Sequence, residues 1–246
     1  MEIKTIGGQL TIVLPGPSRP EPKLPPPKIV PGYLADLMTR LESKEELPIP
    51  EGEPKSTKYT VSWQAHREAE RINDPAILPQ IAERLQEAET LHDFWHLSIV
   101  LTSIIKNTGS KPAGKLLAQL LQQLPSKTRY LRYVFWGLDN APTPEVCAFA
   151  RKHIPHKHWD IEGSALHVLT AGANPKDFTF LSGLLMGNKL HESNLQYCVE
   201  ATAAAGKKRA VPILKRFIEK HSKNRKQDFK NAVEQAQDAL EKESPS

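Results

Sequence analysis

The chain has 246 residues, of which 39% are hydrophobic and 25% are charged, and its formal net charge is +5. No apolar run reaches about 18 residues, which excludes a membrane span, and the first residues lack the basic-then-apolar pattern of a secretory signal. The two cysteines, Cys147 and Cys198, have no CxxC spacing, so we expect reduced thiols in a cytoplasmic protein rather than a disulfide framework.

The N-terminal 31 residues combine a β-type pattern with a proline-rich one. Two short β-type runs flank Gly7-Gly8 within residues 1–14, which predicts a β-hairpin or a docking strand. Residues 15–31 contain eight prolines, a composition that favours an extended polyproline II linker. A linker is the simpler interpretation, although the same segment has the spacing of ligands of SH3-like domains. That spacing is carried by Arg19, Pro22 and Pro25.

One short amphipathic helix is predicted to interrupt this linker. Its apolar residues repeat at the spacing of a helical turn. They are Leu34, Leu37, Met38 and Leu41. We therefore divide the chain into a β-type segment (1–14), a proline-rich linker with one short helix (15–59), a helical domain (60–241) and a disordered tail (242–246).

From residue 60 onward the pattern is helical and repeats along the chain. Four apolar helical patterns begin at an X-Pro pair, where proline is tolerated because its missing N–H would have no partner. These prolines are Pro75, Pro112, Pro144 and Pro175, at spacings of 37, 32 and 31 residues. Pro79 lies four residues after Pro75, and Pro212 lies four residues after Lys208, where the next period begins. A period near 32 residues with two helices in each period is typical of a stacked helical solenoid.

This period predicts five antiparallel helix pairs within residues 74–241. Capping-box spacings at Thr90 with Asp93, and at Asn224 with Gln227, support two of the second helices. The expected pairs are 75–87 with 91–107, 112–123 with 127–139, 144–153 with 157–171, 175–186 with 192–204, and 208–221 with 225–241. The predicted fold class is all-α: a right-handed α-solenoid of about five helix pairs, preceded by a β-hairpin and a proline-rich linker.

Residues 74–241 resemble the HEAT family, especially the short bacterial HEAT-like repeats named after phycobilisome lyases. The resemblance rests on the Leu-Pro and Val-Pro pairs in first helices, at Pro79 and Pro212, and on Arg129 near the start of a second helix. Most of the repeats lack the family's aspartate-then-arginine pair between helices. The resemblance implies an α-solenoid whose concave face, built from second helices, binds another macromolecule.

The sequence contains few groupings that indicate chemistry. His92 and His96 lie one helical turn apart beside Asp93, a spacing that suits two metal ligands, but the sequence places no third ligand near them. A loop contains a second histidine group, which is His153, His156 and His158. No phosphate loop or nucleophile motif is present. We expect no metal, no cofactor and no catalytic residue.

One predicted second helix has an aromatic and basic face beside its apolar face. Leu131, Val134, Phe135 and Leu138 form the side expected in the core. Arginine, tyrosine and tryptophan are enriched in binding hot spots and also stack on nucleic-acid bases. The candidate binding residues are Arg129, Arg132, Tyr133 and Trp136. The alternative is that these side chains pack between repeats.

The basic excess of the chain lies at its C-terminal end. Residues 206–230 contain ten basic and two acidic side chains, a charge balance that attracts polyanions or acidic proteins. We expect the basic side chains on one side of the helix, opposite the apolar side of Val211, Leu214 and Ile218. The candidates are Lys208, Lys215, Arg216, Lys220 and Lys223. The alternative is a solvated terminal helix pair.

These patterns favour a scaffold, adaptor or inhibitor that binds another protein through its concave face, without a membrane role. The alternative is a nucleic-acid-binding solenoid that uses residues 206–230. An enzyme similar to the HEAT-like DNA glycosylases is a third class, and it requires an acid among concave aromatic side chains. The nearest such residues are Asp139 or Asp160, with Trp136 and Trp159. We expect the protein not to be an enzyme.

Overall fold

The computed structural model describes residues 2–6, 9–13, 24–187 and 189–243. The turn predicted at Gly7-Gly8, the SH3-ligand spacing at Arg19 and Pro22, and the last three residues of the predicted tail lie outside the described residues. Two strands, β1 (Glu2–Ile6) and β2 (Gln9–Val13), pair antiparallel with Glu2 opposite Val13. No helix in the described ranges is long and apolar enough to cross a membrane.

The fold is all-α, since residues 24–187 and 189–243 contain helices and no β-strand. An isolated bridge between Glu46 and Thr60 is the β-type pairing within these ranges. The helices are α1 (Tyr33–Leu41), α2 (Val61–Ala69), α3 (Leu78–Gln86), α4 (Leu91–Thr108), α5 (Lys111–Gln123), α6 (Thr128–Phe135), α7 (Pro144–Arg151), α8 (Trp159–Gly172), α9 (Phe178–Gly187), α10 (Leu195–Gly206), α11 (Val211–His221) and α12 (Gln227–Glu243).

The recurring proline lies at the second residue of α3 and of α11, as Pro79 and Pro212. A short 3-10 turn precedes each of these helices, at Pro75–Ile77 and at Lys207–Ala210. In the first turn of a helix the amide N–H groups have few intrahelical partners, so a proline there removes little bonding. Pro79 therefore lies in the first turn of its helix, where a proline disturbs the helix least.

Two details of the predicted helix ends differ in outcome. The capping box at α4 is formed, because the Thr90 hydroxyl accepts from the Asp93 amide while the Asp93 carboxylate accepts from the Thr90 amide. The box predicted at Asn224 is wrong: α12 begins at Gln227, and the Asn224 side chain accepts from the Lys226 amide instead. A two-residue Asx-type turn therefore replaces the helix cap.

The second helix of the second predicted pair, α6, is shorter than the sequence indicated. It ends at Phe135 rather than near residue 139, because Trp136 has an extended backbone and Gly137 has a φ of 98°. A left-handed glycine is a common way to stop a helix. A separate 3-10 turn at Leu138–Asn140 then continues the chain.

The even-numbered helices form a continuous row. From α2 to α12, each even-numbered helix contacts the next one along the chain. Among the odd-numbered helices, α3 contacts α5, α5 contacts α7, and α9 contacts α11. Each of α3, α7, α9 and α11 also contacts the helix that follows it. One hydrophobic core, from Tyr33 to Ala236, lies between the two sets of helices.

An additional helix pair precedes the five pairs expected from the period. The predicted apolar face of α1 is buried, and α1 packs on α2. The Glu68 carboxylate of α2 accepts from the Tyr33 hydroxyl at 2.7 Å and from both terminal nitrogens of Arg40 at 2.7 and 3.0 Å. These bonds hold the pKa of Glu68 below its usual value, mainly through Arg40. The helix expected inside the linker thus shares the core of the helical domain.

Candidate partner-binding face

All four tryptophans of the chain lie on or at the end of even-numbered helices. Trp63 is in α2, Trp95 is in α4, Trp136 directly follows α6, and Trp159 begins α8. Three of them keep a large part of their surface in solvent: 37% for Trp63, 69% for Trp136 and 57% for Trp159. Because large aromatic side chains are usually well buried, this distribution marks an unusual surface. We call these four tryptophans and Tyr133 the aromatic face.

The two sides of α6 separate as the sequence predicted. Leu131, Val134 and Phe135 are buried, as is Leu138 in the following turn. The four candidate binding residues all remain exposed, with exposed fractions of 40% for Tyr133 and 69% for Trp136. The apolar residues anchor α6 to the core, so the opposite side faces solvent.

The aromatic residues of α6 also pack on α4, in agreement with the alternative interpretation. The Trp136 indole stacks on that of Trp95, with ring centroids 6.0 Å apart and an interplanar angle of 17°. The Tyr133 ring lies 4.8 Å from Trp95 at an angle of 51°. These three rings form one cluster across two neighbouring helices, yet Tyr133 and Trp136 still offer their outer surface to solvent.

The two arginines of the candidate set differ in their contacts. Arg132 Nε forms an ion pair with Asp160 Oδ2 of α8 at 2.5 Å, which joins α6 to the next helix of the row. The Arg129 guanidinium lies 5.4 Å from the centroid of the Tyr130 ring. The structure therefore brings Tyr133 and Trp136 together with Trp95, and it places Arg132 in the connection to α8.

Sequence reasoning did not identify Trp95 as the centre of this face. Trp95 lies in a helix whose three- and four-residue apolar spacing indicates only a core position. Its ring neighbours include His66 of α2, at 5.5 Å between centroids, and His92 of its own helix, at 6.4 Å. Trp95 belongs to this face because the exposed rings of Tyr133 and Trp136 lie against it. That contact depends on the packing of α4 on α6, which the sequence does not show.

Three histidines, His66, His92 and His96, lie around the Trp95 ring. His96 is 1% exposed, and neither of its ring nitrogens has a hydrogen-bond partner among the described residues. Burial lowers the pKa of His96 to about 4, and burial also lowers the pKa of His66. Glu42 Oε1 lies 3.7 Å from His92 Nδ1 and 3.8 Å from His96 Nδ1. Within the part of the chain that the structure describes, no group of three or more His, Cys, Asp or Glu residues is arranged to hold a metal ion.

The two acids considered for a glycosylase-like reaction differ in their surroundings, and Asp160 Oδ1 is buried without a hydrogen-bond partner among the described residues. Asp160 is ion-paired with Arg132, and Asp139 is exposed in the short turn that follows α6. An acid that activates water has to be available to that water. The ion pair with Arg132 joins α6 to α8.

The candidate basic residues of the last helix pair are all exposed. Leu214 is buried, and Val211 and Ile218 are half-buried on the other side of α11. Lys220 Nζ donates to the carbonyl oxygen of Met186 at 3.1 Å. The exposed set is Lys208, Lys215, Arg216, Lys220 and Lys223.

Comparison of the chain with models of protein families, with curated proteins and with solved structures found no match. The functional argument therefore rests on two surfaces of this chain: the aromatic face of the even-numbered helices and the basic surface of the last pair.

Proposed function

We propose that this protein is a HEAT-like scaffold or adaptor that binds another protein through the aromatic face of its second helices. The observation that supports this proposal is the exposed stack of Trp136 on Trp95, with Tyr133 beside it. Tryptophan, tyrosine and arginine are the side chains that contribute most to protein–protein binding energy.

The repeat architecture is part of the same proposal. The row of even-numbered helices, the contacts among odd-numbered helices and the proline that recurs after a 3-10 turn support a right-handed α-solenoid of HEAT type. In such an arrangement the second helices present one continuous surface. A scaffold of this kind needs no catalytic group, only a surface that is complementary to its partner.

The charge of the aromatic face favours a protein over a polyanion. Arg132 is paired with Asp160 of α8, and Arg67 is paired with Glu70 beside Trp63. These pairs neutralise two of the arginines that lie next to the aromatic rings. Protein interfaces are rich in aromatic residues and arginine and poor in lysine, which matches this face.

The face is held in place before a partner arrives. The Trp95–Trp136 stack and the Arg132–Asp160 ion pair link three successive helices of the row. A surface that is already ordered loses little conformational entropy on binding, so more of the contact energy contributes to affinity. A partner with an apolar side chain at the centre of its interface would cover Trp136.

The paired Asp160 also bears on the enzyme alternative. A glycosylase-like reaction needs an available acid among the aromatic rings, whereas Asp160 is held by Arg132. We therefore favour a binding role without catalysis.

Affinity capture with defined variants tests this function. The full chain, immobilised, is compared with the double variant Y133A/W136A and with the control I49A, which removes an exposed apolar side chain outside the helices. We expect the wild-type protein and I49A to retain a partner that Y133A/W136A does not retain. For a hot spot of about 2 kcal/mol, the double substitution should raise the Kd for that partner about 30-fold. Equal retention by the three proteins would contradict the proposal.

A further inference from the structure

The C-terminal end of the molecule has a strongly basic surface that the aromatic face does not involve. All ten basic side chains of residues 206–230 are exposed. Seven of them are lysines and three are arginines. They lie on the 3-10 turn before α11, on α11, in the loop that follows it and on the first turn of α12. We call these ten residues the basic surface.

Most of this charge has no counter-charge nearby. Lys226 Nζ is paired with Glu192 at 2.6 Å, Lys220 donates to a carbonyl oxygen, and the Arg209 guanidinium lies 4.7 Å from the Phe178 ring centroid. The other seven basic side chains form no ion pair with a carboxylate of the described residues. They are Lys207, Lys208, Lys215, Arg216, Lys223, Arg225 and Lys230.

Within α11 the charges share the side that faces away from the core. Phe217 and Leu214 are buried on the inner side of the helix. Lys208 lies in the 3-10 turn directly before α11, and Lys220 lies near the end of α11. At a rise of about 2.0 Å per residue in the turn and about 1.5 Å in the helix, the two residues are about 20 Å apart along the helix direction. Glu219 is the single acidic residue of α11; it is exposed and forms no ion pair with the described residues.

The basic surface lacks the apolar groups that a protein or a membrane would require. No large hydrophobic side chain between residues 206 and 243 is exposed, whereas the aromatic face contains four such side chains. Protein interfaces are depleted in lysine and usually contain buried apolar anchors. Helices that bind membrane surfaces place an apolar face in the lipid. A dense row of cations without apolar groups instead matches a phosphate backbone, which is recognised by charge alone.

We propose that the basic surface binds the phosphate backbone of double-stranded DNA without base specificity, at a site separate from the aromatic face. The row of about 20 Å along the 3-10 turn and α11 corresponds to about six base pairs at about 3.4 Å per step of each strand. Neutralisation of the phosphates releases counterions from the duplex, and this release drives the association. The lysines of the turn and the loop at the two ends of α11 extend the contact.

Fluorescence anisotropy of the full chain with labelled 20-base-pair duplexes of two unrelated sequences, at about 0.1 M salt, tests this binding. We expect equal affinity for both sequences and a steep loss of affinity with salt, by about 0.9 log units per log unit of salt for each phosphate contacted. Absence of binding at this salt concentration, where the screening length of about 10 Å leaves close contacts effective, would overturn the proposal. A strong preference for one sequence would overturn it as well.

Charge-reversal variants locate the site. K215E/R216E/K223E changes the charge of α11 and its loop, and K111E/K115E/K152E makes the same net change at exposed lysines in α5 and directly after α7. We expect the first variant to lose at least about tenfold in affinity and to reduce the salt slope by about 0.9 for each lost contact, while the second stays within about threefold of wild type. Equal weakening by both variants would show attraction by overall charge and reject a defined site. Circular dichroism establishes that both variants are folded.

A variant that removes one negative charge should bind DNA more tightly than the wild-type protein. Glu219 lies among the lysines of α11, so E219Q removes the one negative charge that opposes a phosphate there. We expect E219Q to bind the duplex about two- to fivefold more tightly at about 0.1 M salt, since one like-charge repulsion is worth less than about 1 kcal/mol at the surface. Unchanged or weaker binding by E219Q would place the DNA elsewhere and reject the site. W136A should bind DNA as wild type does, so the failure of one proposal does not decide the other.

Discussion

The indole of Trp136 lies on the indole of Trp95, with 6.0 Å between ring centroids and 17° between ring planes. The two residues are 41 positions apart in the chain: Trp95 lies in α4, and Trp136 directly follows α6, the next helix of the even-numbered row. The contact uses one surface of each ring, so that Trp136 still has 69% of its surface exposed. One ring pair therefore stabilises the contact of α4 with α6 and also forms the centre of the aromatic face.

The stacked pair should contribute a measurable coupling energy. In a double-mutant cycle of W95A, W136A and the double variant, we expect a coupling of about 0.5–1.5 kcal/mol in the free energy of unfolding. W136A alone should cost about 1 kcal/mol or less, because most of the ring is in solvent, while W95A should cost more. Urea denaturation at neutral pH measures all four proteins. Additive single effects would show that the stack is only a spatial proximity.

The recurring proline should be nearly neutral for stability. Pro79 is the second residue of α3, after a 3-10 turn in which the Asp74 side chain accepts from the Ala76 amide at 2.9 Å. We expect P79A to change the free energy of unfolding by about 1 kcal/mol or less, compared with about 3 kcal/mol for a proline in a helix interior. P212A, at the same place in α11, is the matched variant and should behave alike. If thermal melts showed that P79A is stabilised by close to the full value of about 3 kcal/mol, the hydrogen bond that the proline removes would be important to the fold, which would contradict this prediction.

The two predicted capping boxes should differ in their contribution to stability. Asp93 is 2% exposed; it accepts from the amides of Glu89 and Thr90 and is paired with Arg84 at 2.5 Å. We expect T90A to cost about 1 kcal/mol through the loss of the cap, and D93A to cost more, because it also removes the acceptor of two backbone amides and of Arg84. N224A is the control, and its effect should be within about 0.5 kcal/mol, since no helix cap is lost there. Chemical denaturation of the three variants compares the costs, and an N224A effect as large as that of T90A would contradict this account.

Local signals in the sequence predicted several helix starts, although the capping box at Asn224 was wrong, whereas contacts between distant residues required the structure. The prolines and Thr90 act within a few residues of themselves, so a sequence pattern is enough to place them. The pair α1–α2 was missed because α2 buries only two alanines, Ala65 and Ala69, which is too little apolar periodicity to indicate a packed helix. The partner of Trp136 could not be predicted either, because it depends on how α6 ends at Gly137 and on its packing against α4.

The buried histidine beside Trp95 should make stability depend on pH. His96 is neutral in the folded protein because burial lowers its pKa to about 4, with His92 and His66 acting in the same direction and Asp93 opposing them. In the unfolded chain its pKa returns to about 6.5. Between these two values the unfolded state binds more protons, so stability is complete above about pH 6.5 and is lost as the pH falls toward 4. The Glu42 carboxylate faces His92 and His96, so it is the acidic group placed to offset a positive charge on either imidazole.

The expected loss is about 3 kcal/mol over this pH range, since each pKa unit corresponds to about 1.4 kcal/mol. The variant H96L replaces the titrating group with an apolar side chain at a site where the imidazole forms no hydrogen bond. Between pH 7 and pH 4.5, the free energy of unfolding of H96L should therefore change much less than that of the wild-type protein. The control H191N replaces an exposed histidine and should keep the wild-type pH dependence. Urea titrations at several pH values measure the three slopes. If H96L and the wild-type protein lose the same stability on acidification, the pH dependence arises from other groups, such as His66, whose pKa burial also lowers.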